Sequence, residues 1–314
     1  MPARSHLWSL IAGPLLCLPR PSLQAQPDTL ISHITLDEFV VSAQAQGFDV
    51  ATFVRQVMDD TTFYQSFLNT RYHPHHVESG LVVRNKKERE TANLYRRGRL
   101  VRTGHLAELV LDSVHESGNL RDRKGNMRYL TAEMYDDVFF PRGAFTASNT
   151  IRARQQEIVR ASRFEEYKSE LKKFMFNPGQ EIASVPFVGD RLALFSPEMA
   201  PYYDFRIWSD ERDGRDCWVF SADTRPGEDR HTAIKEMSTW FDKGSGMVIA
   251  REYRLLHTSI LLDFDLLIKV RNRVVDGVLV PARVDYSGEW DIPFRRIEIV
   301  RFWLDLREWR LAGP

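Results

Sequence analysis

ILLDFDLLIKV, residues 260–270, decides the fold of this chain. Every second residue from Ile260 to Val270 is large and apolar, whereas the positions between them include Asp263, Asp265 and Lys269. Alternation with a period of two over this length indicates a β-strand with one buried and one solvated face. Half-buried strands are typical of antiparallel sheets. The stretch therefore predicts an antiparallel sheet with an apolar face.

Similar strands are predicted on both sides of this stretch. In the C-terminal half they lie near 247–256, 258–270, 277–286 and 294–306, with turns at Asp276-Gly277, a favoured hairpin pair, and at Ser287-Gly288. Strands at 203–208 and 217–222 flank a charged turn, and a connecting segment then runs through Trp240. In the N-terminal half we expect strands at 75–85, 91–97, 107–115 and 127–136, with turns at Arg97-Gly98, Ser117-Gly118 and 124–126.

Two helical regions interrupt the strands. Asp49 is a natural N-cap for a helix that continues to about Asn69 and that restarts near Asp60. A second helix is expected from Phe164 to Phe176, whereas Ile34–Ala43 is β-prone. The predicted fold class is α+β: a large curved antiparallel sheet, or half-barrel, with helices packed in or over its concave side. Two domains divided near 145–180 are the alternative.

Residues 1–25 have the features of an export signal, and residues 26–314 are predicted to form one domain. Arg4 precedes an apolar core at Leu7–Leu18, and Ala25 offers a small residue for cleavage. A membrane anchor is the alternative, but a bilayer requires about 20 apolar residues and prolines shorten this core. No later segment is long and apolar enough for a transmembrane helix. We expect an exported protein, periplasmic or outer-membrane-associated, in a Gram-negative bacterium.

Charge and cysteine content exclude some classes of protein. Without residues 1–25 the chain has 41 basic and 43 acidic residues, which argues against a nucleic-acid partner. Cys217 is then the remaining cysteine, so no intramolecular disulfide is possible and the fold depends on its core. Cys217 itself lies in an apolar strand and is predicted to be a buried apolar residue.

The second half of the chain resembles a known family. Its segments GMVIAREYRLL (246–256), DFDLLIKV (263–270), VLVPARVDYSGEW (278–290) and RRIEIVRFWL (295–304) are similar to the strands of LolA-like proteins. These are exported lipoprotein carriers and sorting factors, here of a type expected in Bacteroidetes-like bacteria. The resemblance implies an incomplete barrel whose apolar concavity is plugged by helices, and it transfers no functional residue. ITLDEFVVSA (34–43) also resembles the segment preceding the plug of outer-membrane receptors, so Ile34 to Ala43 could add to a partner's sheet edge.

Few residues offer chemistry. His73, His75 and His76 form the densest cluster of metal-binding side chains, but no carboxylate or cysteine stands at ligand spacing. An exported hydrolase with a site near His73 and His75 is nevertheless kept as an alternative function. Asp263 and Asp265 share a strand face with Lys269, which indicates a solvated face rather than a catalytic pair. No nucleotide or cofactor motif is present, and we expect no cofactor and no resident metal.

Aromatic and aliphatic residues suggest an apolar cavity instead. The candidate ligand-binding residues are Phe53, Phe63 and Phe67 of the helices with Ile260, Leu262, Phe264, Leu266 and Ile268 of the strand. A curved sheet covered by amphipathic helices can enclose a site for a lipid or another apolar ligand. The favoured hypothesis is a non-enzymatic envelope protein that binds an apolar small molecule or a lipoprotein acyl chain. An outer-membrane interaction module is the second.

Overall fold

The computed structural model describes residues 30, 34–45, 47–150, 189–259, 263–291 and 297–313. Four of the features predicted above lie outside the described residues: the export signal, the helix at 164–176, and Ile260 and Leu262 of the candidate site.

Within the described residues, twelve strands form one open sheet. In chain order they are β1 (Ile34–Leu36), β2 (His75–Arg84), β3 (Glu90–Thr103), β4 (Leu106–Gly118), β5 (Ala144–Thr146), β6 (Tyr203–Arg212), β7 (Arg215–Thr224), β8 (Ile234–Asp242), β9 (Val248–His257), β10 (Asp263–Val275), β11 (Val278–Asp291) and β12 (Glu298–Arg307). Their spatial order is β1-β6-β7-β8-β9-β10-β11-β12-β2-β3-β4-β5. The pairs are antiparallel apart from β1 and β6, which are parallel.

Strands from both halves of the chain belong to this sheet. β12 pairs with β2 so that Phe302 lies opposite Leu81. The strands on the two sides of segment 145–180 are therefore joined by a backbone ladder.

Four α-helices accompany the sheet in the described part of the chain: α1 (Glu38–Ala45), α2 (Val50–Asp59), α3 (Thr62–Asn69) and α4 (Leu130–Phe139). Asp49 caps α2, as predicted, since its Oδ1 accepts hydrogen bonds from the amides of Ala51 at 2.9 Å and Thr52 at 3.2 Å. Asp60 separates α2 from α3 and accepts a hydrogen bond from the amide of Thr62 at 3.0 Å. No helix of the described residues has the length and apolar character needed to cross a membrane.

The helices lie against one face of the sheet, which we call the inner face. On β10 this face carries Phe264, Leu266, Ile268 and Val270, all buried in the main core. Asp265, Leu267 and Lys269 lie on the opposite, outer face, as the alternation predicts. The predicted fold class, a large antiparallel half-barrel sheet with helices over one side, is confirmed, and β1 adds a single parallel strand at its edge.

A smaller apolar cluster lies on the outer face of β7, β8 and β9. Cys217 is fully buried there with Val219, Trp240, Ile249 and Ala250. Burial raises the pKa of the Cys217 thiol to about 11, which keeps it protonated at neutral pH. The prediction that Cys217 is a buried apolar residue is confirmed.

The strand predicted at 127–136 is wrong, because Leu130–Phe139 forms α4. Alternation of Tyr129, Thr131 and Tyr135 with apolar residues suggested a period of two. The helix is stabilised from a distance: the Glu298 carboxylate of β12 accepts hydrogen bonds from the amides of Leu130 at 2.5 Å and Thr131 at 3.2 Å. A carboxylate at a helix N-terminus satisfies free amides and the helix dipole.

The segment Ile34–Ala43 is also only partly a strand. β1 is three residues long, and α1 follows it directly. Asp37 accounts for this change, since its Oδ1 accepts a hydrogen bond from the amide of Val40 at 2.8 Å and so caps α1.

Two predicted turns and one predicted connection lie inside strands. The 234–242 segment that contains Trp240 is strand β8. Gly98 lies within β3 at a register shift, and a Cβ there would overlap with the carbonyl oxygen of Val110 on β4. Gly288 lies within β11, under the side chain of Tyr286. Both glycines permit a close approach inside the sheet, whereas Asp276 and Gly277, with φ of 44° and 80°, form the predicted hairpin turn.

Candidate ligand-binding site

The aromatic side chains of α3 lie between the helices and the sheet. Phe63 and Phe67 pack edge to face with ring centroids 5.3 Å apart, and both are buried. Phe67 also contacts Phe139 of α4 at 6.2 Å. α3 itself contacts β9 and β11. These two phenylalanines therefore belong to the cover over the middle of the inner face.

Phe53 of α2 covers a neighbouring part of the inner face. Its ring contacts Phe241 of β8 edge to face at 5.3 Å and Phe48 at 5.7 Å. Phe48 in turn stacks on Trp218 of β7 at 4.4 Å. Residues at helical spacing on α2, namely Val50, Phe53, Val54 and Val57, are buried, which explains why this face of α2 lies on the sheet.

Six of the eight predicted site residues are brought together in one apolar core. Phe264, Leu266 and Ile268 of β10 are buried in the same cluster as Phe53, Phe63 and Phe67. The six side chains are between 1% and 5% exposed. The candidate site is thus a covered apolar face rather than an open cleft.

A buried ion pair ties the α2–α3 junction to the sheet. Nη2 of Arg251 on β9 lies 3.5 Å from Oδ2 of Asp60, and the side chains are 6% and 4% exposed. Nε of Arg251 donates to Oγ1 of Thr239 at 3.0 Å, and the guanidinium lies over the ring of Phe63 at 4.3 Å. Burial lowers the pKa of Arg251, and the Asp60 carboxylate opposes that shift. The guanidinium therefore needs Asp60 as its counter-charge.

A second buried pair holds α4. Arg96 on the inner face of β3 forms an ion pair and hydrogen bond with Asp136 of α4. Its guanidinium also stacks on the ring of Phe140, 3.3 Å from the centroid. Burial lowers the pKa of Arg96, and Asp136 raises it. The α2–α3 junction and α4 are thus each attached to the sheet by an arginine that projects from the apolar face.

Tyr135 of α4 has a buried hydroxyl without a hydrogen-bond partner among the described residues. The Tyr135 ring stacks on Phe302 of β12 at 3.8 Å and contacts Tyr286 at 5.4 Å. Burial raises the pKa of Tyr135 well above its ordinary value, so the hydroxyl stays a proton donor. Nearby, Nε1 of Trp290 donates to Oη of Tyr286 at 2.7 Å.

The prediction from sequence missed Arg251, Asp60 and Tyr135. A signal for Arg251 was present, since it occupies an inward position of an alternating apolar strand, where a charge requires a buried partner. Asp60 was recognised only as a place where the helix restarts. Tyr135 was assigned to a strand, and nothing in its neighbourhood along the chain indicated that its hydroxyl is buried.

His73 and His75 bind the C-terminal segment. His75 stacks on Trp309 at 4.2 Å, and its Nδ1 lies 2.8 Å from the carbonyl oxygen of His73. Nδ1 of His73 accepts a hydrogen bond from the amide of Ala312 at 3.1 Å. Burial lowers the pKa of His75 to about 4 and also lowers the pKa of His73. No group of three or more metal-binding side chains occurs among the residues that the structure describes.

Comparisons with known proteins give low similarity. No protein-family model and no curated protein matches the chain. Among solved structures, it is similar to a domain classed as an outer membrane lipoprotein-sorting protein from Vibrio parahaemolyticus, with 12% identity, a TM-score of 0.26, and 79% of this chain and 90% of that chain covered. A DUF1329 family protein from Desulfovibrio piger has 10% identity, a TM-score of 0.25, and 83% and 90% covered.

A LolA superfamily protein from Nitrosomonas europaea is the third similar structure, with 10% identity, a TM-score of 0.24, and 80% and 94% of the two chains covered. The solved structures similar to this chain thus include the family that its strands resemble. The restriction to Bacteroidetes-type bacteria stays a prediction. At these TM-scores the similarities do not support any inference about function or site residues. The inferences below use the geometry described above.

Proposed function

We propose that this protein binds an acyl chain of a lipid or lipoprotein between α2, α3 and α4 and the inner face of its sheet, and catalyses no reaction. Phe53, Phe63 and Phe67 would contact the chain from the helices, and Phe264, Leu266 and Ile268 would contact it from β10. Ile260 and Leu262, just before β10, are proposed to extend the same surface. Burial of apolar area, at about 25 cal/mol per Å², would supply the binding free energy.

The observation that carries this proposal is the way in which the helices cover the apolar face. α2 and α3 are ten and eight residues long and contact the sheet through side chains, including the Arg251–Asp60 pair. The sheet is held by its own backbone ladders. Local opening of a cover with few anchors costs less free energy than global unfolding. Separation of the helices would therefore expose the apolar face while the strands stay paired.

Tyr135 supplies a position for the polar end of such a ligand. An unpartnered buried hydroxyl costs about 1 to 3 kcal/mol. A carbonyl or carboxyl oxygen of an acyl ester or fatty acid would accept a hydrogen bond from this hydroxyl and remove the cost. The expected ligand is accordingly an acyl chain with an oxygen acceptor rather than a pure hydrocarbon.

The proposed location follows from the same chemistry. Residues 1–25 would direct export and be removed, leaving residues 26–314 as one domain in the periplasm or at the outer membrane of a Gram-negative bacterium. Acyl chains are abundant in these compartments. A carrier keeps such a chain away from water between two membranes.

Native mass spectrometry with lipid extraction of the full chain, purified from its own envelope, tests the proposal. Co-purified acyl chains at a stoichiometric ratio are expected. In parallel, the delipidated protein is titrated with a fluorescent fatty acid. The proposal is wrong if no acyl chain co-purifies and the probe does not bind.

The variant Tyr135→Phe makes this test specific. We expect about tenfold weaker binding of the fatty-acid probe, the equivalent of one hydrogen bond of roughly 1.4 kcal/mol. The ligand-free variant should be as stable as the original or more stable, because the unpartnered hydroxyl is gone. Tyr95→Phe, whose hydroxyl donates to Glu78 on the outer face at 2.9 Å, is the control and should leave probe binding unchanged.

One observation favours a second function, an interaction with an outer-membrane protein through Ile34 to Ala43. β1 pairs with β6 over three residues at the edge of the sheet, and Val41 of α1 is 54% exposed. A short edge strand is easily replaced by a partner's strand. Deletion of residues 34–43 should abolish capture of an outer-membrane partner in pull-downs, whereas unchanged capture would contradict this function.

A further inference from the structure

The outer face of the sheet has a pocket of about 400 Å³ that is lined mainly by residues of β10, β11 and β12. Arg215 of β7 and Ile249 of β9 also line it. Five arginines from four strands surround it: Arg215, Arg271, Arg273, Arg283 and Arg307. Asp213 and Asp305 are the carboxylates of its lining. The lining residues therefore have a formal excess of arginine over carboxylate side chains.

A β-bulge on β11 lies beside this pocket. Arg271 pairs with Arg283 and Asn272 pairs with Pro281, so Ala282 of β11 is the extra residue. Asn272 is buried on the inner side, where its Nδ2 donates to the carbonyl oxygen of Val248 at 2.8 Å. Arg271 and Arg273, on either side of Asn272, are exposed and line the pocket together. This placement follows the regular alternation of β10, whereas the bulge on β11 lets the consecutive residues Ala282 and Arg283 both line the pocket.

Three of the arginines are held in place by carboxylates. Arg283 donates to Asp285 at 2.6 Å and to Asp305 at 2.7 Å. Arg215 lies 3.0 Å from Asp242, and Arg307 pairs with Glu78. These pairs neutralise the charges of Arg215, Arg283 and Arg307, so Arg271 and Arg273 are the arginines of the lining without an ion pair among the described residues.

The other two arginines keep most of their hydrogen-bonding capacity. Arg273 donates through Nη2 to the carbonyl oxygen of Leu306 at 3.0 Å, which orients its guanidinium and leaves its charge uncompensated. The side chain of Arg271 has no ion pair or hydrogen bond within the described residues. Each guanidinium carries five donors in a planar fork that matches the oxygens of a phosphate.

We propose that this pocket binds a phosphate group, either free in solution or as part of a lipid headgroup, through Arg271 and Arg273. Apolar side chains beside the arginines, Ile249 and Val274, contact the group to which the phosphate is attached. The site is separated from the acyl-chain site by the sheet itself and does not depend on it.

The test uses the full mature chain at constant ionic strength. Calorimetric titration with inorganic phosphate and with pyrophosphate measures binding of the free anion. Co-sedimentation with phosphatidylcholine vesicles, with and without phosphatidylglycerol, measures binding of a headgroup phosphate. Binding in the first arm alone identifies a soluble phosphate as the ligand, and binding that requires phosphatidylglycerol identifies a lipid. Either result supports the proposal, and binding in neither arm overturns it.

The double variant Arg271→Gln/Arg273→Gln should weaken that binding about tenfold or more, because charge-assisted hydrogen bonds to two guanidinium groups are lost. The matched control is Arg97→Gln/Arg301→Gln, which removes two positive charges from exposed outer-face positions that do not line the pocket. A loss of equal size in both double variants would show a diffuse charge effect and overturn the proposal. Circular dichroism checks that both variants are folded.

Discussion

Arg251 of β9 and Asp60, which separates α2 from α3, form an ion pair of 3.5 Å across the boundary between the sheet and its helical cover. The pair joins residues 191 positions apart in the chain. Removing both charges from water costs free energy, which the ion pair offsets. If one partner were removed, the other would be a buried unpaired charge and would destabilise the fold. Stability and opening of the cover should therefore depend on this pair.

Arg251→Met is expected to reduce the free energy of unfolding by about 3 to 5 kcal/mol, because Asp60 would stay buried without a counter-charge. Urea denaturation measures the loss. The double variant Arg251→Met/Asp60→Leu should lose less than Arg251→Met alone. As a control, Arg254→Met removes an outer-face pair with Asp265, 44% and 40% exposed, and should cost less than about 1 kcal/mol. Equal losses for Arg251→Met and Arg254→Met would contradict the role of burial.

The stability of the fold should depend on pH through His75. Its folded-state pKa is about 4, below the ordinary 6.5, because burial against Trp309 disfavours the charged ring. Below pH 6.5 His75 is protonated in the unfolded chain but stays neutral in the folded chain. The free energy of unfolding therefore falls as the pH decreases from about 6.5 to about 4. The loss amounts to about 3 kcal/mol.

Urea denaturation at pH 7 and pH 4.5 measures this dependence. His75→Phe keeps the stacking on Trp309 and should remove that part of the pH dependence. His105→Gln, at an exposed position, is the control and should leave it unchanged. A pH dependence identical in the original protein and His75→Phe would show that other groups cause it.

Gly288→Ala is expected to destabilise the protein by about 1 to 3 kcal/mol through overpacking. A methyl group at this position would overlap with the hydroxyl and ring of Tyr286, which extends along the strand to reach Nε1 of Trp290. Thermal unfolding measures the effect. Gly313→Ala, where no atom lies within 4 Å of the new methyl group, should have no measurable effect. An unchanged melting temperature for Gly288→Ala would mean that Tyr286 takes another position.

Glu298→Ala should loosen α4 and cost roughly 1 to 2 kcal/mol of stability, since the amides of Leu130 and Thr131 lose their acceptor. Hydrogen exchange is the direct measurement, and faster exchange is expected across 130–139. Glu289→Ala, an exposed position of neighbouring β11, serves as the control. Unchanged hydrogen exchange in α4 would mean that contacts other than those of Glu298 stabilise the N-terminus of the helix.

Most strands and the α2 cap were predictable because their signals are local. The alternation in β10, the Asp276-Gly277 turn and the Asp49 cap each depend on residues within a few positions of one another. Six of the eight candidate residues lie in one apolar core, and the sequence could indicate their burial because strand and helix periodicities show which face is buried. They do not show whether helices open away from that face, so the ligand remains a proposal.

By itself, the sequence determined that this chain forms an amphipathic antiparallel sheet with an early helical segment. Only the tertiary structure decided that 130–139 is a helix, because its cap comes from Glu298, 168 positions away. It also decided that Gly288 lies inside a strand, where Tyr286 crosses it. The arginine-lined pocket required the bulge at Ala282 of β11 and the pairing of β10, β11 and β12. The cap of α4 and the lining of this pocket both join residues that are distant in the chain, and no local sequence pattern specifies such contacts.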